Sequence, residues 1–183
     1  VKTLNENKIE YEFHETTGYL CAYRKCRDLE IDNYSAIFIS GGDGTVHECI
    51  NGLLMRADGK KLPFGLIPNG SGNDTATNME ILNYEMAEDA LINGRDLMQS
   101  DVILNLVDHN TLEEIKEKFK DEPEKVLEFA RFANNSTALA YVANFIDGVT
   151  SRMKSWWGPK AYDIQAAIQV FKDNVCTFDI DMD

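Results

Sequence analysis

Basic residues are scarce in this chain. Lys and Arg number 18 against 31 Asp and Glu, a formal net charge of −13. A protein that binds DNA or RNA by neutralising phosphates needs the opposite balance, so the charge argues against nucleic acid as a partner. The same deficit removes bulk attraction to anionic membranes and leaves only a local basic patch for that task. Proline is sparse, at four residues, and no Pro-, Gly- or Ser-rich stretch reads as a linker. The four cysteines, Cys21, Cys26, Cys49 and Cys176, form no CxxC pair. They are expected to be reduced thiols of a cytosolic protein. The histidines, His14, His47 and His109, are too scattered for a metal set. No run is long and apolar enough for a transmembrane helix, and no signal-peptide pattern opens the chain. The opening on Val1 and the strand-like run 178–183 lead to the expectation of a fragment.

What is present is an ordinary globular composition, 44% hydrophobic, with an alternating rhythm of helix and strand. Residues 1–9 read as the end of a helix and 11–14 as a short strand. Thr16 or Thr17 is placed to cap a helix running to about Leu29. Residues 35–40 form a continuous apolar run, the pattern of a buried parallel strand. Gly41-Gly42-Asp43-Gly44 ends it, and Val46, Cys49, Ile50 and Leu53 then recur at helical spacing. Residues 64–67 form a second buried strand, closed by Pro68. A second polar, glycine-rich turn follows, Asn69-Gly70-Ser71-Gly72-Asn73-Asp74, and then a helical stretch to about Asn93. This order predicts an α/β fold with a parallel sheet and helices on its faces. From Asp101 the character changes. Residues 102–107 read as a strand, 111–128 as a solvated amphipathic helix forming an insertion, 132–146 as apolar and small, and 162–170 as helical. A domain boundary is expected near residue 103.

Chemistry concentrates in the two turns. In Gly41-Gly42-Asp43-Gly44-Thr45, glycines permit positive φ and close approach of a ligand, and successive N–H groups at a helix start favour an anion. A carboxylate beside bound phosphates needs a role, either in binding Mg²⁺ or in accepting a proton from an attacking hydroxyl. The competing reading of Asp43 is a tight turn with an N-capping aspartate. The second turn repeats the architecture one βαβ unit later, which places both at the carboxyl ends of neighbouring strands, facing one crevice. Ser71 and Asn73 add donors and acceptors; Asp74 and Asp101 add carboxylates. Neither turn is followed by the Gly-Lys-Ser/Thr of a Walker A loop, and the second lacks the last glycine of a dinucleotide fingerprint.

Ser40-Gly41-Gly42-Asp43-Gly44-Thr45-Val46-His47-Glu48, Asn51-Gly52-Leu53 and Pro68-Asn69-Gly70-Ser71-Gly72-Asn73-Asp74-x-Ala76 together resemble the diacylglycerol kinase catalytic domain and its sphingosine kinase relatives. Asp101, Trp157-Gly158-Pro159-Lys160-Ala161-Tyr162, and Thr16 followed by Ala22 extend the resemblance over most of the chain, except an insertion at about 108–130. It implies an ATP-binding α/β domain over residues 1–103, NAD kinase/diacylglycerol kinase-like in fold. The start of a β-rich, lipid-binding second domain is implied over 104–183. It further implies that Gly41, Gly42, Gly44, Gly70, Ser71, Gly72 and Asn73 hold the ATP phosphates, with Thr16 and Thr45 assisting. Asp43 is implied as the catalytic base or charge organiser for a lipid hydroxyl, Asp74 and Asp101 as partners around Mg²⁺, and Asp147 as a lipid-headgroup residue. The implied enzyme is an ATP-dependent lipid kinase, cytoplasmic and peripheral at membranes. Two departures stand out: the family's opening Asn-Pro-x-x-Gly segment is missing, and Ala140-Tyr141 replaces its Gly-Phe.

NAD kinases and phosphofructokinases also resemble the Gly-Gly-Asp-Gly turn, but NAD kinases carry a Gly-x-Leu-Gly-Phe second turn that is lacking here. A non-catalytic nucleotide- or lipid-binding module is the other alternative, against which the retained Asp43 argues. Arg152-Met153-Lys154-Ser155-Trp156-Trp157 has two readings: an edge that touches a membrane, or rings packed inside the protein.

Overall fold

The computed structural model describes residues 2–94, 102–107, 110–134, 150–157 and 160–161. Strands β1 (Ile37–Gly41) and β2 (Phe64–Pro68) lie side by side in parallel, Ile39 opposite Leu66 and Gly41 opposite Pro68. A parallel pair needs a crossover, and helix α3 (Asp43–Leu54) supplies it. Its apolar positions Val46, Cys49, Ile50 and Leu53 are all buried, as their spacing predicts. Helix α2 (Cys21–Asp28) packs across α3 at Gly52, where a Cβ would lie 2.8 Å from the Cys26 Cβ and against the Tyr23 carbonyl. The core joins Ile39 and Leu66 of the sheet to Val46, Ile50 and Leu53 of α3 and Ala22 and Cys26 of α2. This mixed α/β arrangement with a small parallel sheet matches the α/β, parallel-sheet part of the fold class predicted.

A second cluster, including Tyr23, Met55, Ile115, Val126 and Leu127, lies beside the first. It underlies an antiparallel pair, β3 (Ile103–Leu106) with β4 (Ala130–Ala133). The buried side chain of Asn51 ties β4 to α3. Its amide donates to the Phe132 carbonyl (2.9 Å) and its carbonyl accepts from the Phe132 N–H (2.9 Å). One side-chain amide thus takes the place of a neighbouring strand.

Several local expectations are overturned. Residues 11–14 form no strand; they lie exposed without a partner strand, and their alternation is not enough. Helix α2 begins at Cys21 after Leu20 in a left-handed conformation, and neither Thr16 nor Thr17 caps it. Glu48 does so from α3, accepting the N–H groups of Leu20 (3.0 Å) and Ala22 (3.2 Å). The helical stretch to Asn93 is two helices, α4 (Asp74–Asn78) and α5 (Tyr84–Asn93), broken where Glu80 turns left-handed and Asn83 caps the second. The helix expected over 111–128 is α6 (Leu112–Lys118), started by a Thr111/Glu114 capping box, and α7 (Val126–Phe129), with Pro123 in the turn between. Strands β1 and β2 bury only Ile39 and Leu66 fully, and Phe38 is exposed.

At the start of the chain, helix α1 (Lys2–Glu6) is tied to α5 by a Thr3–Glu88 hydrogen bond. The chain divides into two units, residues 1–135 and 136–183. Within the second, helix α8 (Ser151–Trp157) places the Arg152 guanidinium over the Trp156 ring at 5.2 Å. The run 162–170 lies outside the described residues. Among the described residues no helix is long and apolar enough to cross a membrane, and Cys21, Cys26 and Cys49 are free thiols.

Candidate active site

Both glycine turns follow the carboxyl ends of β1 and β2, and they meet main chain to main chain. A Cβ on Gly42 would lie 3.0 Å from the Gly70 Cα, and one on Gly70 would overlap the Gly42 Cα. The Asn69 N–H donates to the Gly41 carbonyl at 3.1 Å and closes the seam. The glycines serve this approach and not left-handed backbone: among the described residues the glycines with positive φ are Gly59 and Gly94. The positive-φ part of the expectation is therefore replaced by a packing reason. Gly41 also has its task, since the Thr45 side chain lies directly against it.

Asp43 opens α3, and its carboxylate reaches across the seam. Oδ1 accepts the Thr75 N–H (2.9 Å) and the Thr75 hydroxyl (3.0 Å), and Oδ2 accepts the Asp74 N–H (3.2 Å). Helix α4 is thereby capped by a residue from another element. Its own N-cap, Asn73, is left-handed and is used instead to close the turn, accepting from the Gly70 N–H (2.7 Å) and donating to the Gly70 carbonyl (2.9 Å). Burial works to raise the Asp43 pKa. The hydrogen bonds from Thr75 and Asp74 outweigh it, so the group titrates below the usual aspartate range and is an anion at neutral pH.

Asp43 and Asp74 converge beside Gly72. A Cβ there would lie 3.2 Å from Asp43 Oδ2 and 3.8 Å from Asp74 Oδ1. Two hard oxygen donors beside one glycine suit Mg²⁺, which takes few protein carboxylates and completes its shell with water and phosphate oxygens. Among the described residues no group of three or more His, Cys, Asp or Glu gathers for a metal. Asp101 and Asp147 lie outside the described residues. Ser71 and Gly44 are exposed on the two turns; Thr16 is exposed in the segment before α2. Sequence reasoning gave Thr75 and Asn134 no role, and it named Glu48 and Asn51 only as motif residues without the caps and clamps they make. Their partners lie 26 to 81 positions away, and helical or strand periodicity carries no signal for such pairs.

The family model of the diacylglycerol kinase catalytic domain matches residues 1–103. The chain belongs to this family. Sphingosine kinase 1 of Arabidopsis thaliana is 43% identical to it over 77 residues, 40% of this chain and 16% of that protein. Sphingosine kinase 2 of the same plant is 39% identical over 77 residues, again 40% of this chain and 16% of its own length. A Staphylococcus aureus (strain bovine RF122 / ET3-1) protein provisionally named a lipid kinase is 32% identical over 92 residues, 48% of this chain and 29% of that protein. The chain thus aligns with 16% to 29% of the length of these relatives. In this member of the diacylglycerol kinase catalytic domain family, both glycine turns and the whole Asp43 cap fall within the matched segment.

Proposed function

We propose that this chain is the catalytic core of an ATP-dependent lipid kinase that passes the γ-phosphate to a hydroxyl of diacylglycerol, ceramide or a sphingoid base. The observation that carries the reading is the main-chain contact of Gly42 with Gly70, with the Asp43 carboxylate fixed beside it. In this reading residues 1–103 bind ATP and 104–183 begin a β-rich lipid-binding part. The turns hold the phosphates through Gly41, Gly42, Gly44 and Gly70 to Asn73, assisted by Thr16 and Thr45. Asp74 and Asp101 with Asp43 would hold Mg²⁺, which would supply charge neutralisation on the transferring phosphoryl group. Asp43 Oδ2 carries one hydrogen bond where Oδ1 carries two. Oδ2 therefore keeps the acceptor capacity to orient the attacking hydroxyl and take its proton. Its low pKa makes it a weak base, which suffices where the transition state is loose and the nucleophile's proton leaves late. Asp147 would meet the lipid headgroup, and the enzyme would work in the cytoplasm at membrane surfaces.

The test is transfer of label from γ-labelled ATP to a panel of diacylglycerol, ceramide and sphingoid bases. Phosphorylation of one lipid class is expected; no transfer to any lipid refutes the reading. The cap on α4 favours a second role for Asp43, purely structural. Asp43→Asn puts an N–H donor against donors from Thr75 or Asp74, at a cost of about 1–2 kcal/mol in stability. If Asp43 also reacts, turnover falls by about 10²-fold or more. An Asn variant that keeps over half of wild-type turnover makes Asp43 a cap alone.

A further inference from the structure

Beyond Asp43, the structure holds a polar chain that no motif announces. The Asn134 side-chain amide donates to Thr75 Oγ1 at 3.1 Å, and the Thr75 hydroxyl donates to Asp43 Oδ1 at 3.0 Å. Thr75 is buried, and a hydroxyl has one proton. Because Asn134 offers Oγ1 a donor, the Thr75 proton is directed to Asp43. With the Thr75 N–H on the same oxygen, Oδ1 is occupied twice, and the carboxylate plane is locked with Oδ2 towards Gly72. Asn134 is itself fixed, since it follows β4 and Phe132 is clamped by Asn51.

We infer that Thr75 and Asn134 are positioning residues for phosphoryl transfer: Asn134 orients the Thr75 hydroxyl, and Thr75 aims the less occupied oxygen of Asp43, Oδ2, which accepts the Asp74 N–H alone, towards Gly72. The inference rests on the lipid kinase reading for its kinetic consequence, and on geometry alone for the hydrogen-bond chain. It gives the β3–β4 pair a route to the reacting carboxylate, because any shift of β4 on α3 moves Asn134.

The test uses the full chain with Thr75→Val, Thr75→Ser, Asn134→Leu and the Thr75→Val/Asn134→Leu double variant. Val keeps the shape and the capping N–H of Thr75 and removes only the hydroxyl. Expected is a fall of about tenfold in kcat with KM for ATP unchanged, the signature of an interaction that acts in the transition state. Thr75→Ser should restore most of the loss. Adding Asn134→Leu to Thr75→Val should cost nothing further, since Asn134 acts through the hydroxyl. Equal kcat in Thr75→Val and wild type, or additive losses, overturns the inference. A second readout is independent of turnover. The side-chain amide resonances of Asn134 should shift in Thr75→Val and stay near their wild-type positions in Thr75→Ser. If wild type phosphorylates no lipid, the function reading fails while the amide shifts still decide the chain. If the amide does not respond to Thr75→Val, the inference fails whatever the enzyme does.

Discussion

Gly44 and Gly70 are the same residue type in the same site, yet the fold needs only one of them. A Cβ at Gly70 collides with the Gly42 main chain, whereas one at Gly44, the second residue of α3, meets nothing within 4 Å. Gly70→Ala should therefore cost about 1–3 kcal/mol, the usual range for overpacking. Gly44→Ala should leave stability unchanged or raise it by up to about 1 kcal/mol, because alanine is the better helix former. What glycine supplies at Gly44 is open space at a helix start, which matters only to a ligand. In the ATP-binding reading, Gly44→Ala weakens ATP binding by about tenfold or more while the protein melts no lower. Thermal unfolding and nucleotide titration on the two variants check this. A Gly44→Ala variant that binds ATP as wild type does would remove Gly44 from the phosphate site. A second residue-scale prediction concerns His47. Burial and the charge of Arg131 lower its pKa, with Glu48 opposing. Between the unfolded value of about 6.5 and the lowered folded value, the unfolded chain binds the proton that the folded one refuses. Stability should fall as pH drops through that window and level off beneath it. Urea midpoints between neutral and mildly acidic pH should show this slope, and His47→Gln should abolish most of it.

At the scale of elements, the telling joint is β4 on α3. Asn51→Ala strips both partners from the half-buried Phe132 main chain at once, so a loss of about 1–3 kcal/mol is expected. Hydrogen exchange at the Phe132 N–H should lose its protection; a protected amide in that variant would show that the clamp is dispensable. This joint also explains what the sequence made legible. Helix α3 could be read from Val46, Cys49, Ile50 and Leu53, because a buried helix face repeats locally. Strands β1 and β2 could be read from their apolar runs and their glycine-rich ends, and the two turns from residue type alone. The breaks in 74–93 and 111–128 were missed because left-handed Glu80 and the turn at Pro123 interrupt a pattern whose composition stays helical. The caps were missed for another reason. Glu48 on α2 and Asp43 on α4 serve helices that do not contain them, and a cap in another element is invisible to any rule that looks next to the helix it caps.

For the whole molecule, a charge of −13 sets a problem that a lipid substrate makes acute. An acidic protein is repelled by anionic bilayers, yet a lipid kinase has to reach them. In the proposed lipid kinase reading the counterweight would be local: Arg152 and Lys154 on α8, with Trp156 67% exposed beside them. Each basic residue at an anionic surface contributes about 1 kcal/mol, and an interfacial tryptophan adds to it. Which effect wins depends on reach. At physiological salt the Debye length is about 8 Å, so only charges within about that distance of a bilayer act on it strongly. At about 0.01 M salt it grows to about 30 Å, and the remaining acidic charge enters the balance. The proposed peripheral enzyme should therefore adsorb to anionic vesicles at physiological salt and less at low salt, the reverse of a simple polybasic anchor. Trp156 and Trp157 are the two tryptophans of the chain, so intrinsic fluorescence reports on this helix directly. A blue shift on adding anionic vesicles is expected at physiological salt, reduced at low salt, and absent when Arg152→Glu and Lys154→Glu are combined. A shift that survives the double charge reversal would mean that the basic residues are not the anchor. The exposure of Trp156 already rules out the reading in which its ring packs inside the protein, and no shift at either salt would mean that this ring does not enter the bilayer.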